Sequence, residues 1–465
     1  MRKTSNSVNN VIIIFVFTLF TIPSVYAQEG VKDFEINQLK QQIEKLEIQR
    51  QQEMEEIRKL MEDRDKQRQE EINSLKSRIE ELETGKPPEQ REDLESTVKT
   101  VKEKVEPVLE NLDIFGGFRL RAAEVDFNRQ GEAADRYRAR IRLRFGAQYT
   151  LLDKQIAVGG RLSTGNKNDS RSPYVSFGNL FEDFDIFIDR AYLKYSPNFW
   201  QGLYAIGGKF GLTFNKKDIY NELVWDNDVQ PEGMAVGFKG KSIGPLDKLT
   251  FTIGQYIVEE KNSRISWLTT PQITVSDSFA EGLFNISLGI GGFIYYGHDL
   301  IPNGDTELVT TPKNRGNAVL LDPVGNPVGF VSDFYILNSY LDLEYTGWSV
   351  PLIISGELIH NFGANIDQDT GFSVGAQLGK TKRTHDWRVY YQFQLIEQDS
   401  IFTPFSQDDF QIATNFWGHV TGIQYKIMKN MDVHIWVLLT KPDQIFGDLT
   451  DETNFRGRVD LTVSF

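Results

Sequence analysis

The chain contains no cysteine, which excludes a disulfide framework and thiolate metal sites. Its five histidines, His298, His360, His385, His419 and His434, are scattered and form no nucleophile or zinc-binding pattern. Walker loops and dinucleotide fingerprints are also missing. An enzyme is therefore not expected, and neither a cofactor nor a metal is called for. Beyond Ala27 no apolar run is long enough to cross a bilayer as a helix, so membrane insertion there requires a closed β-barrel. Base is scarce relative to acid: 51 Lys and Arg against 65 Asp and Glu give a net charge of -14, which argues against nucleic acid as a partner.

What is present begins with Arg2 and Lys3, an apolar run from Val11 to Ile22, Pro23 and the ending Val25-Tyr26-Ala27. This order predicts a secretory signal peptide over residues 1–27, with an uncleaved anchor as the alternative. Over 28–85 the apolar residues Ile36, Leu39, Ile43, Leu46, Ile57 and Leu60 alternate at spacings of three and four, and Ile72, Leu75, Ile79 and Leu82 resume the pattern one residue out of phase. With charged flanks, this predicts a parallel coiled coil and so more than one chain; a single solvated helix is the alternative. Gly85-Lys86-Pro87-Pro88 ends it, and 86–113 reads as a linker with a short helical segment.

From Ile114 onward the period changes to two. Arginine occupies every second position from Arg136 to Arg144, alternating with Tyr137, Ala139, Ile141 and Leu143 and followed by Phe145, Ala147 and Tyr149. All the guanidinium groups then share one face of a strand and the apolar groups the other. In a soluble sheet the apolar row would meet a protein core. Aromatic residues at both ends of that row instead match the interfacial girdles of a membrane strand, with the arginines facing a wet interior.

About sixteen such strands fit into 114–465, separated by alternating short and long links, which predicts an all-β transmembrane barrel of antiparallel strands. The short link near Glu259 to Ser263 breaks the alternation. An even strand number puts both barrel ends on the short-turn side, where the coiled coil would lie in the periplasm. Val459, Leu461, Val463 and the terminal Phe465 share one face of the last strand. An aromatic terminus on an apolar face resembles the signal read by the outer-membrane barrel assembly machinery.

With the arginine strand, Asp189 to Tyr195 (DRAYLKY), Gly208 to Phe214 (GKFGLTF) and Leu223 to Gly233 (LVWDNDVQPEG), the segment from about Leu112 resembles a Gram-negative outer-membrane porin. More narrowly, it resembles porins with an N-terminal coiled coil, relatives of the phosphate-selective porin group, although no surface-layer homology segment precedes the coil. The resemblance implies passive diffusion of small hydrophilic solutes, an outer-membrane setting among lipid and lipopolysaccharide, a homotrimer, and a third outer loop folded into the lumen.

Alternation directs Arg119, Arg121, Arg136, Arg138, Arg140, Arg142, Arg144, Arg161 and Lys209 inward. Asp342, Glu344 and Glu357 are expected on the opposite wall, creating a transverse field. The third loop brings Glu222, Asp226 and Asp228, either as a constriction against the arginines or outside, holding divalent cations with lipopolysaccharide. An arginine lining favours anions, whereas acidic outer loops oppose them, so weak anion preference or little preference is expected. A structural tether from outer membrane to peptidoglycan through the coiled coil is the principal alternative function. An adhesin or receptor role would reside in the longest loop, Asp299 to Asp333.

Overall fold

A computed structural model of the chain describes residues 108–465, except 129–134, 167–168, 179, 181–182, 245, 262–263, 298–307, 309, 311–312 and 448, together with scattered residues between 66 and 102. The expected signal peptide and most of the expected coiled coil and linker lie outside the described residues. The chain divides into two compact units, Met1–Lys102 and Glu103–Phe465.

Sixteen strands form a barrel in the second unit: β1 (Leu112–Phe127), β2 (Arg136–Leu151), β3 (Ile156–Thr164), β4 (Ile186–Tyr195), β5 (Leu203–Lys209), β6 (Glu232–Ile243), β7 (Leu246–Lys261) and β8 (Arg264–Phe279). The second half comprises β9 (Phe284–Tyr296), β10 (Tyr335–Tyr345), β11 (Leu352–Asn361), β12 (Thr370–Gly379), β13 (Trp387–Ile396), β14 (Phe416–Met428), β15 (Met431–Pro442) and β16 (Asn454–Ser464). Each strand pairs antiparallel with the next, and β16 pairs back onto β1. Closure leaves no strand edge, so the ladder satisfies the backbone all the way round.

Alternation sorts the side chains. Tyr137, Leu143 and Phe145 on β2 are exposed on the outer surface, while the arginines between them are half-buried or buried within. At the short turns Phe279, Phe284, Tyr345 and Trp348 form a chain of ring contacts 5.1–5.4 Å apart, the aromatic rim expected of a membrane strand's end.

The barrel's interior is asymmetric. Phe210, Phe214, Leu223, Val224, Trp225 and Val229, from the segment between β5 and β6, are buried against Tyr256, Leu268, Phe293 and Tyr295 of β7, β8 and β9. Phe402, Phe405 and Phe410, between β13 and β14, extend this cluster. Burying each such side chain contributes about 1.5–3 kcal/mol, enough to hold both loops inside the barrel. Gly291 on β9 makes room: a Cβ there would stand 2.6 Å from the ring of Phe214. The Gly208 to Phe214 stretch thus departs from a continuous membrane strand. β5 ends at Lys209, and Phe210 and Phe214 turn into the barrel instead of facing lipid.

The seam between β16 and β1 carries the chain's last residue. Phe465 exchanges backbone hydrogen bonds with Gly116, 2.9 and 3.1 Å long, and its ring covers that glycine. A Cβ at Gly116 would meet the Arg144 carbonyl oxygen at 2.4 Å and the Phe465 ring at 2.7 Å. Gly116→Val should therefore destabilise the closed barrel by about 1–3 kcal/mol. A denaturant midpoint equal to that of the native chain would show that the seam tolerates the bulk.

Candidate functional site: a charged cavity between the arginine wall and the third loop

In the β1–β2 register Arg119 stands opposite Arg142, and Arg121 opposite Arg140. Like charges facing each other across a ladder repel, so the wall needs counter-charge close by. A register shift between Arg121 and Glu124 supplies it. Strict alternation would send Glu124 and Asp126 outward with the membrane face. The bulge reverses the parity, leaving both carboxylates buried inside.

Glu124 then pairs with Arg121 (3.0 Å), Arg458 (3.3 Å) and Arg138, and reaches Arg140 at 3.9 Å. Asp126 holds Arg456 at 2.6 Å and Arg136 at 3.6 Å. Asp460 of β16 holds Arg121 at 2.7 Å, and Asp189 of β4 holds Arg161 at 2.6 Å and Arg144 at 3.7 Å. Sequence reasoning assigns none of these four carboxylates to the site. The available signal is a pair of acids, Glu124 and Asp126, at positions alternation would expose to lipid.

The third loop, 210–231, approaches from the other side. Its apolar side chains rest on the β7–β9 wall, Asn215 and Lys217 bind polar groups of β8 and of β11–β13, and Asp228 turns toward the arginines. Asp228 takes Arg144 at 2.8 Å and Arg142 at 3.4 Å. Burial would raise the Asp228 carboxyl, but Arg144 and Arg142 override it and hold it below the usual range. Asp226 is buried, with its carboxylate accepting the Asp228 amide at 2.7 Å; burial and neighbouring Glu222 push it well up. Burial, with Asp409 and Asp228 nearby, pushes the Glu222 carboxyl up to about 8.

Asp342 and Glu357 reach the loop rather than facing the arginine row across open water, and Glu344 reaches it only through Lys380. Asp342 accepts the Asp218 amide at 3.1 Å and the Ser355 hydroxyl. Glu357 lies 3.6 Å from the fully buried Lys217, whose ammonium also donates to Ser373 at 2.7 Å and to Gln392. Burial lowers that ammonium to about 8. Glu344 pairs with Lys380 at 2.7 Å. Asp342 and Glu357 thus anchor the loop that stands between the two walls.

Lys209 does not join the inward charges. It lies directly across from Glu232 in the β5–β6 register and pairs with it at 2.6 Å. Glu232 shares the outer face of β6 with the exposed Met234 and Val236. The inward expectation required the strand to continue through Phe214 with Phe210 outward, but buried Phe210 sets the opposite parity.

Between loop and wall lies a cavity of about 460 Å³. Arg119, Arg121, Arg142 and Arg144 line one side, and Asp218, Glu222 and Asp228 the other, with Arg388, Asp408 and Asp432 closing the ring. A second cavity of about 530 Å³ carries Arg136, Arg138 and Arg140 with Arg171 and Arg315. Among the described residues no cluster of three His, Asp or Glu side chains has the arrangement of a metal site.

Residues 116–290 and 303–448 match the model of the family described as putative porin. The chain belongs to that family. It is an outer-membrane channel protein. Solved structures similar to this porin include OmpT of Vibrio cholerae in its trimer form, 13% identical, covering 76% of this chain and 99% of that one with a TM-score of 0.42. OprB of Pseudomonas putida at high pH is 11% identical, with coverages of 79% and 96% and a TM-score of 0.49. OmpF of Salmonella typhi in complex with daunomycin is 12% identical, with coverages of 76% and 97% and a TM-score of 0.45. Among curated proteins none matches the chain.

The porin's Lys217 provides a test of how its third loop is held. Lys217→Met strips buried Glu357 of its cation and should lower stability by about 3 kcal/mol, with the double variant carrying Glu357→Gln recovering part of the loss. Thermal unfolding followed by circular dichroism reads this. An unchanged midpoint in Lys217→Met would mean the pair does not secure the loop.

Proposed function

We propose that this porin passes small hydrophilic solutes and ions by passive diffusion through the cavity between the third loop and the arginine wall. The observation that carries this reading is a 460 Å³ space inside a closed barrel, bounded by guanidinium groups on one side and carboxylates on the other. Arg119, Arg121, Arg142 and Arg144 form the basic lining of that cavity, Arg136, Arg138 and Arg140 line the second one, and Arg161 is held on Asp189. Glu222 and Asp228 form the constriction, buried Asp226 supports it from within the loop, and Asp342 and Glu357 anchor it, with Glu344 pairing Lys380. Opposed charges across a narrow water column create a transverse field that aligns dipolar solutes and slows neither ion sign completely. Weak anion preference results, since most arginines are matched by carboxylates and only part of their charge remains for the solute.

The outer apolar face meets lipid and lipopolysaccharide in this reading. Phe465 serves as the assembly signal, and the coiled coil lies in the periplasm, within reach of peptidoglycan. The heptads of 28–85 support association of copies, with three as the expected number; light scattering of the full chain in detergent should give three times the protomer mass, and a monomer would refute it.

Selectivity is read by reversal potentials in a salt gradient across a planar bilayer. A strong cation preference in the native porin would sink the proposal. Replacing Arg142 and Arg144 with Gln leaves Asp228 uncompensated and should move the potential toward cations. Glu222 adds a pH dependence. A carboxyl held at about 8 is neutral below that pH and charged above it, so raising pH from about 6 to about 9 adds negative charge to the cavity and shifts permeability toward cations. Glu222→Gln should abolish most of that shift; if the shift persists unchanged, Glu222 does not face the conduction path.

A further inference from the structure

One aromatic side chain stands among four guanidinium groups on the cavity wall. Tyr174, from the segment between β3 and β4, has its ring centre 4.3 Å from the guanidinium carbon of Arg121, 5.0 Å from that of Arg140 and 5.4 Å from that of Arg142. Its phenol oxygen accepts hydrogen bonds from Arg119 Nη1 at 2.8 Å and from Arg121 Nη2 at 3.2 Å. Guanidinium donors converging on one oxygen are the arrangement by which arginine recognises carboxylate and phosphate. Here the oxygen belongs to a neutral phenol.

The local charge does not balance. Arg119 donates to the Thr462 hydroxyl at 3.0 Å and to Tyr174, and no carboxylate among the described residues pairs with it. Arg142 reaches Asp228 only at 3.4 Å, and that carboxylate is held more closely by Arg144. Asp460 matches Arg121 at 2.7 Å, and Glu124, which Arg121 also reaches, is shared with Arg138 and Arg458, so the uncompensated cations are Arg119 and Arg142. Positive charge is therefore in excess around the phenol. The face of the ring offsets part of it, but a neutral oxygen is a weaker acceptor for guanidinium than an anionic one.

We propose that Arg119, Arg121 and Arg142 form an oxyanion-binding site whose resting occupant is the phenol oxygen of Tyr174, and that a phosphate or carboxylate group on a passing solute displaces it. Tyr174 and these arginines border the same 460 Å³ cavity, so the solute arrives from the water column and one side-chain rotation opens the site. The inference rests on the reading of that cavity as the conduction path. It makes the charge that meets the solute that of Arg119, held by neutral groups, rather than the whole arginine row. A tyrosine acting only as a strut between arginines would leave anion binding no stronger once its hydroxyl is removed.

The test is calorimetric titration of the detergent-folded full chain with inorganic phosphate and, separately, with acetate. Tyr174→Phe keeps the ring and frees two guanidinium donors, so it should bind anion about tenfold more tightly than the native chain; Arg119→Gln should bind about tenfold more weakly. That order of affinities with either anion supports the site, and the anion that shows it identifies the source chemistry. Absence of binding by both anions, or equal affinity in all three proteins, overturns it. Because calorimetry needs no current, a barrel that binds anion without conducting would sink the pore reading and leave the site standing.

Discussion

Five guanidinium groups in register on one strand, facing more of their own kind across the β1–β2 ladder, repel strongly inside a narrow barrel. Much of the interior is arranged to answer that repulsion. The bulge in β1 turns Glu124 and Asp126 inward, β16 returns to the seam carrying Asp460 between Arg458 and the terminus, and β4 contributes Asp189. Strand closure and charge neutralisation are thus linked. The first and last strands meet through a ladder of backbone bonds and, on their inner faces, through carboxylate–guanidinium pairs.

The third loop completes the arrangement because it has two faces. Its apolar residues bury against β7–β9 and give it a fixed seat, while Asp228 and Glu222 on its other side stand before the arginines. Lys217 and the backbone of Asp218 tie it to Glu357 and Asp342 on the adjoining wall. A loop held this way divides the barrel's interior into a packed apolar part and an open part lined by charge. The open space lies where the charges are because the apolar half is filled.

Strand positions are legible in the sequence to within about four residues, because membrane strands must alternate and the links must carry turn residues. The break in alternation near Glu259 is a tight hairpin, with Lys261 opposite Arg264. The inner charge map is less legible. Alternation directs Lys209 inward only along a strand that in fact stops there, and it hides Glu124 and Asp126 because a single bulge inverts every side chain after it. Tyr174 carries no periodic signal at all. It lies in a link, and only the fold of that link brings it to the arginines.

What the sequence determined alone was the barrel, its strand number, its outward apolar face and the density of arginine on one wall, since these arise from a period of two repeated along the chain. What the tertiary structure decided was which charge meets which. Ion pairs such as Arg121–Asp460 and Arg144–Asp228 join residues far apart in the chain, and they depend on register, on a bulge and on where a loop packs. Alternation is a local property of a strand, whereas electrostatic partnership is set by distance in space.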